Sequence, residues 1–440
     1  MLSTYKTERV STHSLPPGPR TPAAVQTLQF YSRRQSAFPA FHTRYGDTFT
    51  LRAYPGPVTY VMFTRPEDIK EIFAGDSWEF SGAGGNEVLR AAVGDNSVML
   101  NDGAAHRRMR KYLMPAFSPR AVRAYRPRVE EIVTHQVSTW RPGEKVTTLQ
   151  AMSGITLEVM LQLVFGLTTG ERMTQLRPRL LKLVDVDPLL ALGWMYPRTL
   201  TRIPPWRGPQ KNLEAIDELI YAEIAERRAS GGTGQDMLSH LLQVTDDAEA
   251  PLSEQEIRDQ LVTLVLAGYE TTASALSWTL HELARHPQIQ QRAADAAAEG
   301  DEDYLEACLK EGMRLHPIID FVVKILRSEQ TIGGWTLPAG TGVVPAIMLT
   351  HHDETHHDDA ASFRPERFLG ENTPAANTWI PFGGGVRRCV GAAFATMEGV
   401  VSLKEILTRF RLSAEKPAPT TLRNITNVPG DGAPVRLQAR

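Results

Sequence analysis

The 440 residues are 42% apolar and 22% charged, with 33 glycines and 30 prolines, the proportions of a globular chain and not of a disordered or fibrous one. Lys and Arg number 48 against 50 Asp and Glu, and the net charge of −2 leaves no basic footprint for nucleic acid. Two cysteines, Cys308 and Cys389, exclude a disulfide-rich secreted scaffold, and each thiol needs its own account.

The first 20 residues are polar and proline-rich, ending in Pro16-Pro17-Gly18-Pro19, and lack the apolar core of a signal peptide. Residues 44–63 carry two β-rich runs around Pro55-Gly56-Pro57 and predict a hairpin. From about Pro66 to residue 316 most segments show helical spacing, with Pro/Gly punctuation at 115–119, 142–143, 204–209 and 230–234. Within that stretch His106-Arg107-Arg108-Met109-Arg110-Lys111 is a local basic cluster. His106 and Arg110 stand four apart and reach the same side of a helix. In isolation the cluster is a solvated basic face.

Ser253 and Glu256 form a capping box, with Leu252 and Ile257 placed as a hydrophobic staple. The helix they open runs to about Arg285, before His286-Pro287, a length of about 45 Å at the standard rise. Ala267-Gly268-Tyr269-Glu270-Thr271-Thr272, near its middle, is a poor helix sequence, because Gly costs about 1 kcal/mol relative to Ala. A threonine hydroxyl there can bond the carbonyl one turn back. A local opening beside an acid and an alcohol suits holding dioxygen and relaying protons; a packing notch beside a stray glutamate is the plainer alternative. The longest apolar runs are interrupted by Glu158 and Glu270, so no membrane span is expected.

Glu311-Gly312-Met313-Arg314 places opposite charges three apart on a helix that ends at His316-Pro317. Residues 317–350 turn to short β-rich pieces. The run His351-His352-Asp353-Glu354-Thr355-His356-His357-Asp358-Asp359 offers imidazoles and carboxylates, yet no Cys or His partner follows at zinc-finger spacing. After Phe363-Arg364-Pro365-Glu366-Arg367-Phe368 comes the segment 381–395, PFGGGVRRCVGAAFA. Its glycines let backbone approach a flat ligand closely. Cys389 precedes an Ala-rich helix running from Gly391 to about Phe410, where the dipole and two arginines stabilise a thiolate. Such a cysteine suits metal ligation or nucleophilic attack. The tail reads as short strands and turns. No repeat or linker divides the chain, so residues 1–440 are expected to form a single unit.

Phe382, Gly385, Arg387, Cys389 and Gly391 stand at the spacing of the haem-binding loop of the cytochrome P-450 family, and the chain resembles that family over residues 16–430. The other three motifs follow in the family's order. The resemblance implies a mainly α fold, a large helical haem domain with a small β-sheet subdomain. It implies haem b, with Cys389 as the axial thiolate on iron. Phe382, Gly391 and Ala267 would lie against the cofactor, and His106, Arg110 and Arg387 would meet its propionates. Glu270 and Thr271 would be the acid–alcohol pair that delivers protons to bound oxygen. Glu311, Arg314 and Arg367 would form a buried structural triad.

Many relatives place a propionate arginine in the strand after the third motif. Counting back from Gly333-Gly334 puts Lys324 there, with Arg327 as the rival. The substrate pocket implied by the resemblance draws on residues 78–100, 180–210, 261–271, 318–323 and 424–428. Leu183, Leu190, Trp194, Ile318, Phe321 and Val322 make it mainly apolar. Asp320 is either a polar anchor for substrate or the partner of an arginine. Cys308 is expected to be passive.

The activity implied is a haem-thiolate monooxygenase that inserts one oxygen atom from O2 into a mainly apolar small molecule. No flavin or nicotinamide module accompanies the haem fold. Electrons are therefore expected from a ferredoxin- or flavodoxin-type donor with an NAD(P)H-dependent reductase, steered by some of Arg107, Arg108 and Lys111. Isomerase or dehydratase chemistry, a peroxygenase, and a non-catalytic haem sensor are the rivals, and none of them requires the acid–alcohol pair. The expected location is the cytoplasm.

Overall fold

Both halves of the capping box form. Glu256 N–H donates to Ser253 Oγ at 3.2 Å, and Ser253 N–H donates to the Glu256 carboxylate at 2.9 Å. They open the central helix Glu254–Arg285, 32 residues long, which Pro287 terminates as expected. The computed structural model describes residues 15–54, 59–166, 170–184, 204, 207–231, 234–244 and 251–440.

The central helix is the axis of the core. Thr148–Phe165, Glu302–Leu315 and Ala392–Arg409 pack against it. Thr148–Phe165 is the only helix among the described residues that is long and apolar enough to cross a membrane, and most of it is buried. Its apolar character serves core packing. A Cβ at Gly268 would stand 2.6 Å from Met160 Sδ, so glycine is what permits the two helices their close approach. Thr156 Oγ1 donates to the Tyr269 carbonyl across the same seam at 2.8 Å.

The β content of the described residues lies in four small sheets. β1 (Thr48–Arg52) and β2 (Thr59–Phe63) form the predicted hairpin, in register Thr48↔Phe63 to Arg52↔Thr59. With β3 (Phe80–Ser81), β5 (Lys324–Leu326) and β8 (Gly342–Pro345) they make a five-stranded sheet in the order β1-β2-β8-β5-β3. β4 (Lys145–Thr147), β12 (Pro434–Ala439) and β9 (Phe410–Ser413) form a second sheet. β6 (Gln330–Ile332) pairs with β7 (Trp335–Leu337), and β10 (Thr420–Arg423) with β11 (Thr426–Pro429). β3 and β4 fall inside the stretch that helical spacing predicts. Two or three residues carry no period; these pieces are strands because β5 and β12 offer them an edge.

The triad expected from EGMR and FRPERF is present. Glu311 and Arg314 are fully buried and bonded through two contacts, at 2.7 and 2.8 Å, and Arg367 Nε reaches Glu311 at 3.0 Å. Arg314 also donates to the carbonyls of His351, Ala360 and Ser362, tying the helix to the loop that precedes the cysteine segment. The histidine run serves the same loop. His352 bonds the Leu315 carbonyl, His357 bonds the Thr378 carbonyl, and His351 Nε2 accepts from Ile380 N–H. These three imidazoles are spent on separate backbone groups, the fourth, His356, contacts the Asp353 and Thr355 side chains, and no metal-binding cluster occurs among the described residues.

Candidate active site

The cysteine loop is held from below by the helix Pro66–Ala74. Gly385 adopts φ +62°, and a Cβ there would stand 2.0 Å from the Phe73 carbonyl oxygen, so only glycine fits. Cys389 N–H donates to the Phe382 carbonyl at 2.9 Å, closing the loop just before Ala392–Arg409 begins. Cys308 is buried, whereas Cys389 is exposed. Even so, burial pushes the Cys389 thiol up, opposed by the Gly391 N–H and by the charges of Arg110 and Arg388. Accessible surface on a desolvated group describes a side chain on the wall of an internal recess.

The central helix offers a matching window. Ile257–Val265 and Thr272–Ala284 are buried without interruption, yet Ala267 is exposed and Leu266, Gly268 and Thr271 are half-buried. Ala267 and Thr271 share a face, four residues apart. Thr271 Oγ1 donates to the Ala267 carbonyl at 2.7 Å, the back-bond expected of threonine in this motif. Glu270 turns away from water, its side chain 7% exposed, and pairs with Arg423 Nε at 3.4 Å. Arg423 ends β10 and, with Tyr269, lines a half-open cavity of about 250 Å³ that also holds Thr147, Gln150 and Ser153. Nothing local in the sequence marks Arg423, because the pair spans more than 150 residues of chain.

The predicted cations lie close to the cysteine loop and to one another. His106 is 3% exposed and its Nδ1 has no partner among the described residues. Burial first, then the charges of Arg387 and Arg110, hold its pKa down to about 4. Arg110 is half-buried; burial lowers its pKa and the Cys389 thiolate raises it. Arg387 donates through its Nη atoms to Asp102 and to the carbonyls of Asn101 and Met99, leaving Nε buried and without a partner among the described residues.

Both candidates for the strand position are committed elsewhere. Lys324 Nζ donates to the Ile72 carbonyl at 2.7 Å between the rings of Phe73 and Phe80, and burial, then Arg387, lower its pKa to about 8. Arg327 pairs with Asp102 at 2.7 Å and lies over the Trp78 ring.

The His106 environment carries a pH signature. Below its ordinary pKa of 6.5 the unfolded imidazole binds a proton that the folded one refuses until about pH 4. Stability present above pH 6.5 is thus lost as pH falls toward 4, by about 3 kcal/mol over the full window. In the ligand-free protein, His106→Phe is expected to flatten this acid limb. Urea unfolding at pH 7 and pH 4.5 checks it, and an unchanged difference between the two pH values counts against the assignment.

Three further expectations resolve differently. Arg108 pairs with Glu256 at 2.7 Å and so ties its helix to the start of the central helix, which leaves Arg107 and Lys111 as the exposed cations of that cluster. Asp320 is the partner of an arginine: it is 2% exposed, paired with Arg34 and bonded to Gln35 and Asn427. Phe321 packs against Phe30 and Phe38 under the first sheet. Ile318 and Leu183 are buried, while Leu190 and Trp194 lie outside the described residues.

The residues fit a planar iron-bearing group with carboxylate arms. A thiol faces a recess, and two buried nitrogens, His106 Nδ1 and the donor Arg387 Nε, lack partners among the described residues. Buried donors are rarely left without a partner, and the cations around them suit carboxylates.

Comparison with known proteins points the same way. Residues 16–430 match the family described as Cytochrome P450. The chain is 45% identical over 431 residues to cytochrome P450 135A1 of Mycobacterium tuberculosis, covering 97% of this chain and 96% of the other. It is 37% identical over 442 residues to cytochrome P450 135B1 of Mycobacterium bovis, with 98% and 92% covered. A solved structure described as retinoic acid bound cyanobacterial CYP120A1 is similar with a TM-score of 0.85 at 25% identity, covering 97% of this chain and 99% of that one.

Proposed function

The chain belongs to the cytochrome P450 family, haem-thiolate enzymes, and we propose that it inserts one oxygen atom from O2 into a mainly apolar small molecule. Electrons come from a separate ferredoxin- or flavodoxin-type donor served by an NAD(P)H-dependent reductase. The observation that carries this reading is the acid–alcohol pair Glu270-Thr271 beside the partly exposed window, Leu266 to Gly268 and Thr271, that interrupts the buried middle of the central helix. We place residues 1–440 in a single haem unit that works in the cytoplasm.

Haem, when bound, supplies the activation of dioxygen and the oxygen insertion. Cys389 Sγ would hold the iron; burial raises its thiol pKa, and the Gly391 N–H, Arg110 and Arg388 work against that rise. His106 Nδ1, Arg110 and Arg387 Nε would hold its carboxylates, with the Lys324 charge close to Arg387. Phe382, Gly391 and Ala267 would border the ring. Glu270, ion-paired with Arg423, and Thr271, whose O–H rests on the Ala267 carbonyl, are the residues that would relay protons into the window. Arg388 and Arg107, both exposed, favour an acidic donor. The similarity to a structure described as retinoic acid bound supports a small-molecule substrate.

The test is NAD(P)H-driven, O2-dependent product formation with surrogate reductases. Thr271→Ala is expected to keep the cofactor and the thiolate–CO absorption signature while most reducing equivalents appear as hydrogen peroxide, product per NAD(P)H falling about tenfold or more. Fully coupled turnover in that variant removes the relay from the mechanism. Product formed from peroxide alone, and not with reductases, assigns a peroxygenase instead.

A further inference from the structure

Asp102 immediately precedes the helix Gly103–Leu113, where an aspartate ordinarily caps the first turn, yet its side chain makes no capping bond there. It points instead into a buried knot. Its carboxylate is 3% exposed, and Oδ1 accepts from the backbone N–H groups of Gly82 at 3.1 Å and Ala83 at 3.2 Å and from Arg387 Nη2. Oδ2 accepts from Ser81 Oγ and from Arg327 Nη2 at 2.7 Å. One carboxylate is thereby shared by two guanidinium groups. Gly82 makes room for this, since a Cβ there would stand 2.4 Å from Arg387 Cδ.

The arrangement divides the two arginines. Arg327 has Asp102 on one side and the Trp78 ring on the other, at 4.1 Å from the ring centroid. Arg387 is gripped along its Nη edge by Asp102, Asn101 and Met99, and only Nε remains without a partner among the described residues. We infer that Asp102 is a positioning residue for the cofactor: it aims Arg387 Nε and sets the net charge that Arg387 and Arg327 together present to a bound carboxylate. The inference rests on the reading of Arg387 as a carboxylate ligand of haem.

Two guanidiniums and one carboxylate leave one net positive charge in a buried site, where charge is poorly screened. The ferric state carries one more positive charge than the ferrous state, so the net charge of the knot shifts the midpoint potential. Asp102→Asn keeps an acceptor in place but leaves two positive charges, and the potential is expected to rise. Arg327→Gln leaves Asp102 to neutralise Arg387, and the potential is expected to fall. The double variant restores the wild-type charge and is expected to return toward the wild-type value. A role confined to packing produces neither opposite shifts nor their cancellation.

Potentials are read on the haem-loaded proteins by spectroelectrochemistry, beside the thiolate–CO signature of each. Equal potentials in wild type and both single variants, with the signature intact, overturn the role of Asp102. If Asp102→Asn fails to fold, Arg327→Gln decides alone: a fall supports the inference and an unchanged potential overturns it. A wild-type protein without the thiolate–CO signature removes the haem-thiolate reading itself, and the inference with it.

Discussion

Cys389→Ser is expected to abolish the thiolate–CO absorption signature and oxygen insertion together, while the ligand-free chain folds as before. The backbone bond from residue 389 to Phe382 does not depend on the side chain, and the thiol lies on the wall of a recess, so little packing is lost. A serine hydroxyl titrates far above a thiol, and the Gly391 N–H, Arg110 and Arg388 cannot hold it as an anion at neutral pH. Cys308→Ser is the control. That thiol is fully buried, its pKa is pushed up by burial, and its loss leaves the signature unchanged. A normal signature in Cys389→Ser, or its loss in Cys308→Ser, reverses the assignment of the two thiols.

Glu311→Ala has the largest expected cost to folding. Glu311 and Arg314 are both 0% exposed, and the carboxylate also accepts from Arg367 Nε and the Arg364 N–H. Removing it leaves two guanidiniums without their counter-ion, a loss of about 3–5 kcal/mol for a broken buried pair. Against a typical total of about 5–15 kcal/mol that is a large share. The expected outcome is protein that accumulates poorly and binds little haem, checked by urea unfolding and haem content. Glu311→Gln, which keeps acceptors but not the charge, is expected to fall between. Wild-type stability in Glu311→Ala means the triad contributes nothing.

The parts legible in the sequence share a physical property: their information is local. A capping box, a proline stop and a Gly-rich turn each act within a few residues, and so Ser253, Pro287 and Gly385 mark their elements before any tertiary contact exists. The cysteine loop is legible for the same reason, since the Cys389 thiol, the Gly391 N–H and the two flanking arginines occupy one short segment. Short strands such as Phe80–Ser81 and Lys145–Thr147 are not legible, because only a partner strand makes them strands.

Charged side chains show the other half of the division. Asp320, Arg108 and Arg327 were each open to a functional reading, and each is spent on a distant partner: Arg34, Glu256 and Asp102. Arg423 and Asp102 carried no local signal, yet one pairs with Glu270 and the other grips Arg387. By itself, then, the sequence determined the family and the helical frame and singled out the candidate thiol, acid and alcohol, since those depend on residue type at short spacing. Only the tertiary structure decided which charges are free to act. A charge in a folded protein is committed by whichever opposite group the fold brings within about 3 Å, and chain distance does not predict that neighbour.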